Sequence, residues 1–331
     1  MLTIVMYHYV RDLRLSRYPR IKGLDTAKFD GQLDYITKHY NVVSLADVIA
    51  AARSNESLPP NACALTFDDG FIDHYTNVLP RLDAKRIQGS FFPSACCIEE
   101  HVVLDVHKIH FVLASREDHE QLARDVLDLL EQYRTEHGIP DEETLLRDHG
   151  MPGRFDPPET AFVKRILQWG LPKDVRNEVV DRLFHKYVTA DEAAFAQELY
   201  VDVPQLRTMY NCGMEIGGHG LDHSWLGTLD RASQREQLLA SREFLGRIEP
   251  RLSNDWLMCY PHGSYDRTTV ELLEELEGAI GLTCEVSLVH PNHSLLELPR
   301  INTNDLPCDG SARLNDWTLQ AYGRSERKAC A

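Results

Sequence analysis

Two short stretches carry residue types that could do chemistry together. The first is Cys63-Ala-Leu-Thr-Phe-Asp-Asp-Gly70, an apolar run that ends in two adjacent carboxylates, Asp68 and Asp69. One reading is a turn, since Asp caps a chain reversal and Gly accepts a positive φ. The other is a site at a strand end, where paired carboxylates divide the work of metal ligand and general base. The second stretch, Glu215-Ile-Gly-Gly-His-Gly-Leu-Asp-His-Ser224, sets His219 and His223 four residues apart. On a helical turn or in a compact loop such a pair points the same way, and neutral imidazole is a favoured zinc ligand. In a chain with 15 histidines the pair is also compatible with two surface side chains in a Gly-rich loop. It is not the HExxH pattern, because Gly220 follows His219. Taken together, one carboxylate and two imidazoles form a three-ligand catalytic set for zinc that leaves a position open for water, and the extra carboxylate then serves as a base beside that water.

Such residues need elements that hold them. Short β-branched or aromatic runs recur at Leu2–Tyr7, Cys63–Phe67, Gly89–Pro93, Met214–Gly218, Trp256–Tyr260, Gly281–Val286 and Leu298–Ile301, each bounded by Gly, Pro or Asp as buried parallel strands are. Helical patterns alternate with them at Thr26–His39, Ser44–Ala52, Arg231–Ile248 and Arg267–Glu277. Strand and helix at this spacing predict an α/β barrel or an open parallel sheet. The stretch from about residue 99 to 203 breaks the rhythm with amphipathic helices at Gln121–His137, Ala161–Trp169 and Lys173–Tyr187, separated by Pro-rich turns. It reads as a helical insertion within one domain spanning 1–331, and either borders the site as a lid or packs as a remote appendage. Within it, His107 and His110 share a helix whose packing face is Ile109, Phe111 and Val112.

With 331 residues and 43% apolar side chains the chain can bury a sizeable core. A formal charge of −16 argues against nucleic acid and anionic membrane surfaces as partners, since both are held by clustered Lys and Arg. The opening MLTIVMYHYV reads as a first strand and lacks the basic start and cleavage site of a signal peptide. No apolar run approaches the ~18–20 residues of a membrane span. The eight cysteines include no CxxC pair, which fits reduced thiols, and a cytoplasmic location is the expectation. No G-x-S-x-G elbow supports a serine hydrolase.

"TFDDG" followed by "EIGGHGLDH" resembles the first and second motifs of the polysaccharide deacetylase family of carbohydrate esterases, metal-dependent amide hydrolases on a distorted (β/α) barrel. "MYHYV" at Met6–Val10, "GSFFP" at Gly89–Pro93, "CYPHGSYD" at Cys259–Asp266 and "LPRINTND" at Leu298–Asp305 resemble further pieces of that family, so the likeness covers about 1–95 and 204–305. The resemblance implies a barrel of about seven parallel strands. It makes Asp69, His219 and His223 the metal ligands, with Zn2+ expected and Co2+, Ni2+ or Fe2+ compatible, and Asp68 the general base. The backbone N–H of His262, at the family's usual tyrosine, would face the oxyanion. Two departures follow. The arginine that commonly orients the base is replaced by Cys259, so Asp68 must be positioned otherwise, and the late Leu-x-x-His motif that supplies the general acid is not recognisable. The acid is expected among His8, His262, His290 and His293, with His8 favoured by its place at the end of the first strand. The implied activity is removal of an N-acetyl group from an amino sugar, such as a nucleotide- or lipid-linked intermediate of a surface polysaccharide such as O-antigen. The alternatives are another amide, such as a formamido sugar, or a non-catalytic sugar-binding relic.

Overall fold

A computed structural model describes residues 1–153, 156–254 and 256–323. They divide into two compact units, one within residues 1–12, 23–100 and 197–323, the other within residues 13–22 and 101–196.

The first unit is built on short parallel strands: β1 (Leu2–Tyr7), β2 (Val10–Arg11), β3 (Leu24–Asp25), β4 (Asn41–Val42), β5 (Ala62–Asp68), β6 (Ser90–Phe92), β7 (Glu215–Ile216), β8 (Leu257–Cys259), β9 (Ile280–Leu282) and β10 (Ile301–Asn302). The main sheet runs β10-β1-β5-β6-β7, with β4 added beside β5. A Gly218–Met258 bridge carries it on to β8, β8 pairs with β9, and a Leu282–Leu298 bridge returns to the segment that leads into β10. Seven parallel strands thus close a ring, with full ladders on one side and single bridges on the other. The expected distorted (β/α) barrel is the architecture found.

Both faces of the central strands are covered, which is why they read as unbroken apolar runs; every residue of β5 is buried. The register Tyr7–Phe67–Phe91 lines up three aromatic rings, stacked 5.0 and 4.8 Å apart. Phe29, on the helix Thr26–His39, meets Tyr7 edge-on, so this row faces the surrounding helices. The alternate residues Thr66 and Asp68 point to the opposite face. That helix begins on Asp25, whose carboxylate accepts from Ala27 N–H, and Leu45–Ser54 begins on a Ser44–Asp47 capping box. Glu215 of β7 accepts from the N–H groups of Leu45 and Ala46 and from Ser90 Oγ, which ties the strand before the histidine loop to that helix start.

The second unit is helical. Its helices include Asp105–Ser115, His119–Glu131, Pro158–Arg165 and Lys173–Tyr187. Val126, Leu130, Phe162, Val179 and Leu183 are buried in it, and Tyr18, from the short N-terminal segment, packs edge-on against Phe111 and Phe195. Buried Lys108 is answered by Asp181 at 2.5 Å and Glu192 at 3.0 Å. His107 is buried along with the packing face, and among the described residues neither it nor His110 belongs to a group that could hold a metal. No helix among the described residues is long and apolar enough to cross a membrane.

Candidate metal centre

The site lies wholly within the barrel unit, at the rim where β1 and β5 end. Asp68 is the last residue of β5, and Asp69 follows with φ 77°. Gly70 continues at φ 67°, and a Cβ there would sit 2.7 Å from the Pro93 side chain, so the turn needs glycine. Across the barrel, Gly217 and Gly218 bring the chain so close that a Cβ on Gly217 would lie 2.8 Å from the Leu257 carbonyl. The histidine loop that follows is held at several points. Ser94 Oγ donates to the His219 carbonyl, the N–H groups of Ala95 and Cys96 donate to the Gly220 and Leu221 carbonyls, and Gln237 Oε1 accepts from Leu221 N–H.

This scaffold brings Asp69, His219 and His223 together, all three buried. His219 Nε2 and His223 Nε2 are 3.2 Å apart, and each is 3.5 Å from Asp69 Oδ1. A tetrahedral ion with bonds of ~2.0–2.1 Å spaces its ligands about 3.3 Å apart, so the three atoms fit one divalent cation. His219 Nδ1–H donates to the Cys259 carbonyl at 2.7 Å, which leaves the Nε2 lone pair facing the other two ligand atoms. Burial pushes the His219 imidazole pKa down, while neighbouring Cys259 and the carboxylates of Asp69 and Asp68 push it up and prevail. His223 (φ 59°) and His262 (φ 57°) share the left-handed backbone of Asp69. Three non-glycine residues held in that region around one cluster mark a constrained site.

Asp68 is held by a residue that sequence reasoning left without a role. Arg300, fully buried, donates from Nη1 to Asp68 Oδ1 and from Nη2 to Asp68 Oδ2, both at 2.8 Å. Its remaining N–H groups reach Thr283 O, Thr66 Oγ1 and Cys259 Sγ, so all five donors have acceptors. Burial pushes the Asp68 carboxyl up, Arg300 pulls it down further, and the net result lies below the usual aspartate value. Cys259 occupies the motif position where an arginine was expected, and the Arg300 guanidinium lies 3.2 Å from its sulfur. The charge missing from one strand is supplied from another. Burial pushes the Cys259 thiol up to about 11, so it meets Arg300 as a neutral group.

His8 stands at the end of β1 with Nε2 3.9 Å from Asp68 Oδ2, and its side chain is 42% exposed. Its carbonyl accepts from Nε2–H of His74, a buried histidine ringed by Phe67, Phe71 and Phe91. The His262 ring lies 4.2 Å from that of His223 and stacks on Trp225. His290 and His293 are elsewhere: Val289 bridges Leu2, at the opposite end of β1, so they belong to the other rim. They are therefore removed from the candidates for general acid, because a six-residue strand separates the rims by roughly 17–20 Å.

Residues 173–279 match the family model described as Polysaccharide deacetylase, a span that contains both candidate histidine ligands. Over 90 residues the chain is 31% identical to the poly-beta-1,6-N-acetyl-D-glucosamine N-deacetylase of Escherichia coli strain K12. That alignment takes in 27% of this chain, which spans 13% of the length of the curated relatives it matches. Among solved structures, the Streptococcus pyogenes deacetylase PplD in complex with acetate aligns over 91% of both chains with TM-score 0.55 and 17% identity. The de-N-acetylase from Aggregatibacter actinomycetemcomitans aligns over 97% of this chain and 99% of its own with TM-score 0.54 and 14% identity. The BpsB deacetylase domain from Bordetella bronchiseptica aligns over 91% and 95% with TM-score 0.52 and 15% identity. The chain has the α/β barrel fold of these deacetylases.

Proposed function

We propose that the protein is a metal-dependent N-deacetylase that removes an acetyl group from an amino sugar of a surface polysaccharide or its precursor. The observation that carries this reading is the spacing of Asp69 Oδ1, His219 Nε2 and His223 Nε2 beside a second carboxylate kept ionised by a buried arginine. A divalent ion, Zn2+ by ligand type, would be held by those three residues and would supply Lewis acidity to the amide carbonyl and lower the pKa of water. Asp68, oriented on both oxygens by Arg300 and still carrying a second lone pair on each, accepts the proton of the attacking water. The His262 backbone N–H is assigned to the oxygen that gains charge as the tetrahedral centre forms. His8, across from Asp68, is assigned the donation of a proton to the amide nitrogen as the C–N bond breaks, and acetate and a free amine remain. The retained base weighs against a binding-only relic, since Asp68 is not among the three ligands.

The test is metal content by mass spectrometry together with acetate release from a β-1,6-linked N-acetylglucosamine oligomer, the chemistry named for the E. coli relative. About one equivalent of metal is expected in the wild type, lost in Asp69→Ala and His223→Ala, and retained without turnover in Asp68→Asn. A wild type that takes up no metal on reconstitution, or an Asp68→Asn variant with full turnover, would end the proposal. Formate release from an N-formyl sugar in place of acetate would favour the deformylase alternative.

A further inference from the structure

Trp225 lies two residues beyond the ligand His223 and leaves 40% of its surface open, on a rim whose ligands are buried. Its ring is not loose. Ser264 Oγ accepts from Gly227 N–H at 3.1 Å, Thr228 donates to the Trp225 carbonyl from both N–H (3.0 Å) and Oγ1 (2.7 Å), and Leu226 is fully buried. A Cβ on Gly227 would stand 3.0 Å from the Tyr265 carbonyl, so the loop is pressed against the chain that follows β8. One indole face is covered by the His262 ring, stacked at 4.2 Å and 11°, and that ring in turn meets His223 at 4.2 Å and 72°. The indole plane is therefore fixed relative to a metal ligand through a single intervening ring.

A rigid aromatic surface beside a polar reaction centre is a feature of ligand pockets, where apolar walls carry the body of a ligand and a few polar groups fix its orientation. The pyranose ring of an amino sugar has apolar C–H faces that suit an indole, and its acylamino group lies at the ring edge. We infer that Trp225 is a substrate-positioning residue: the part of its indole left open beside the His262 stack contacts the sugar ring as the amide reaches Asp69, His219 and His223, and His262 holds the indole in place. This rests on the deacetylase reading and adds to it a residue that selects amino sugars over acyl compounds without a ring.

The test compares the metal-loaded wild type with Trp225→Ala and Trp225→Phe on two substrates, the N-acetylglucosamine oligomer and ethyl acetate, by acetate release. The ratio of kcat/KM for the oligomer to that for ethyl acetate is expected to fall about tenfold in Trp225→Ala, equivalent to ~1.4 kcal/mol. The change should sit in KM, with metal content unchanged and Trp225→Phe intermediate. An unchanged ratio overturns the inference, because a merely structural role would lower both activities together. Oligomer binding is read separately by tryptophan emission: a change seen in the wild type and lost in Trp225→Phe supports the platform even if the wild type releases no acetate, and the same change in both proteins refutes it. A failed deacetylase reading is thus distinguishable from a failed platform.

Discussion

Replacing Arg300 with Met tests how the base is held. The substitution removes both 2.8 Å bonds to Asp68 and leaves a carboxylate inside the barrel with its charge unanswered. Breaking a buried pair by removing one partner costs about 3–5 kcal/mol. The carboxylate then takes up a proton, because burial, its largest influence, raises its pKa once Arg300 is gone. In the wild type the folded-state pKa is depressed, so the pair's stabilisation is present above the unfolded value of ~3.9 and is lost as pH falls through the folded value. In Arg300→Met the folded state binds the proton more tightly than the unfolded chain, so its stability falls as pH rises. The two proteins should differ by about 3–5 kcal/mol near pH 7 and converge toward pH 4, measured by urea unfolding across that range. Turnover at neutral pH should drop by about 10²–10⁴, the usual contribution of a general base. In the double variant with Asp68→Asn the pH dependence of the difference should vanish. A destabilisation that is the same at every pH, and the same whether position 68 holds aspartate or asparagine, would refute the argument.

Burial pushes His74 down to about 4, below the ~6.5 of an exposed histidine, so the folded state resists protonation and stability should fall by on the order of 3 kcal/mol as pH drops from about 6.5 to 4. His74→Phe should flatten that slope; an identical slope in unfolding experiments would mean another group sets it. Gly217→Ala should push against the Leu257 carbonyl and the Phe92 ring, shift His219, and weaken metal affinity at least tenfold by competition with a chelator, and unchanged affinity would contradict the close packing described.

Much of the barrel was legible in sequence because its signals are local. The helices Thr26–His39 and Arg231–Ile248 follow Asp residues that cap them and keep a helical apolar period, and four of the seven strand runs end at or just before Gly, Pro or Asp. β4 was missed because two residues show no period. Residues 13–22 carry no pattern that would assign them to the helical unit, whose Tyr18 contacts are set by three-dimensional packing. The candidate ligands stood out because a carboxylate pair at a strand end and two imidazoles four residues apart are together the donor set of a catalytic metal. Arg300 was not found, since nothing in "LPRINTND" says that its guanidinium returns to a carboxylate 232 positions earlier, and Cys259 suggested only that something was absent.

The closing strand also has a consequence for the order of events during synthesis. Ile301 pairs with Val5, and Arg300 reaches past β1 to Asp68, so the first and last strands meet only after nearly 300 residues have left the ribosome. Contacts of such sequence separation form late, because the chain must be ordered before they reward it. Until then the nascent barrel holds an aspartate without its cation, inside a ring that is open between β1 and the place of β10. The reactive carboxylate is completed in the same step that seals the barrel, and a chain interrupted before residue 300 is unfinished in both respects.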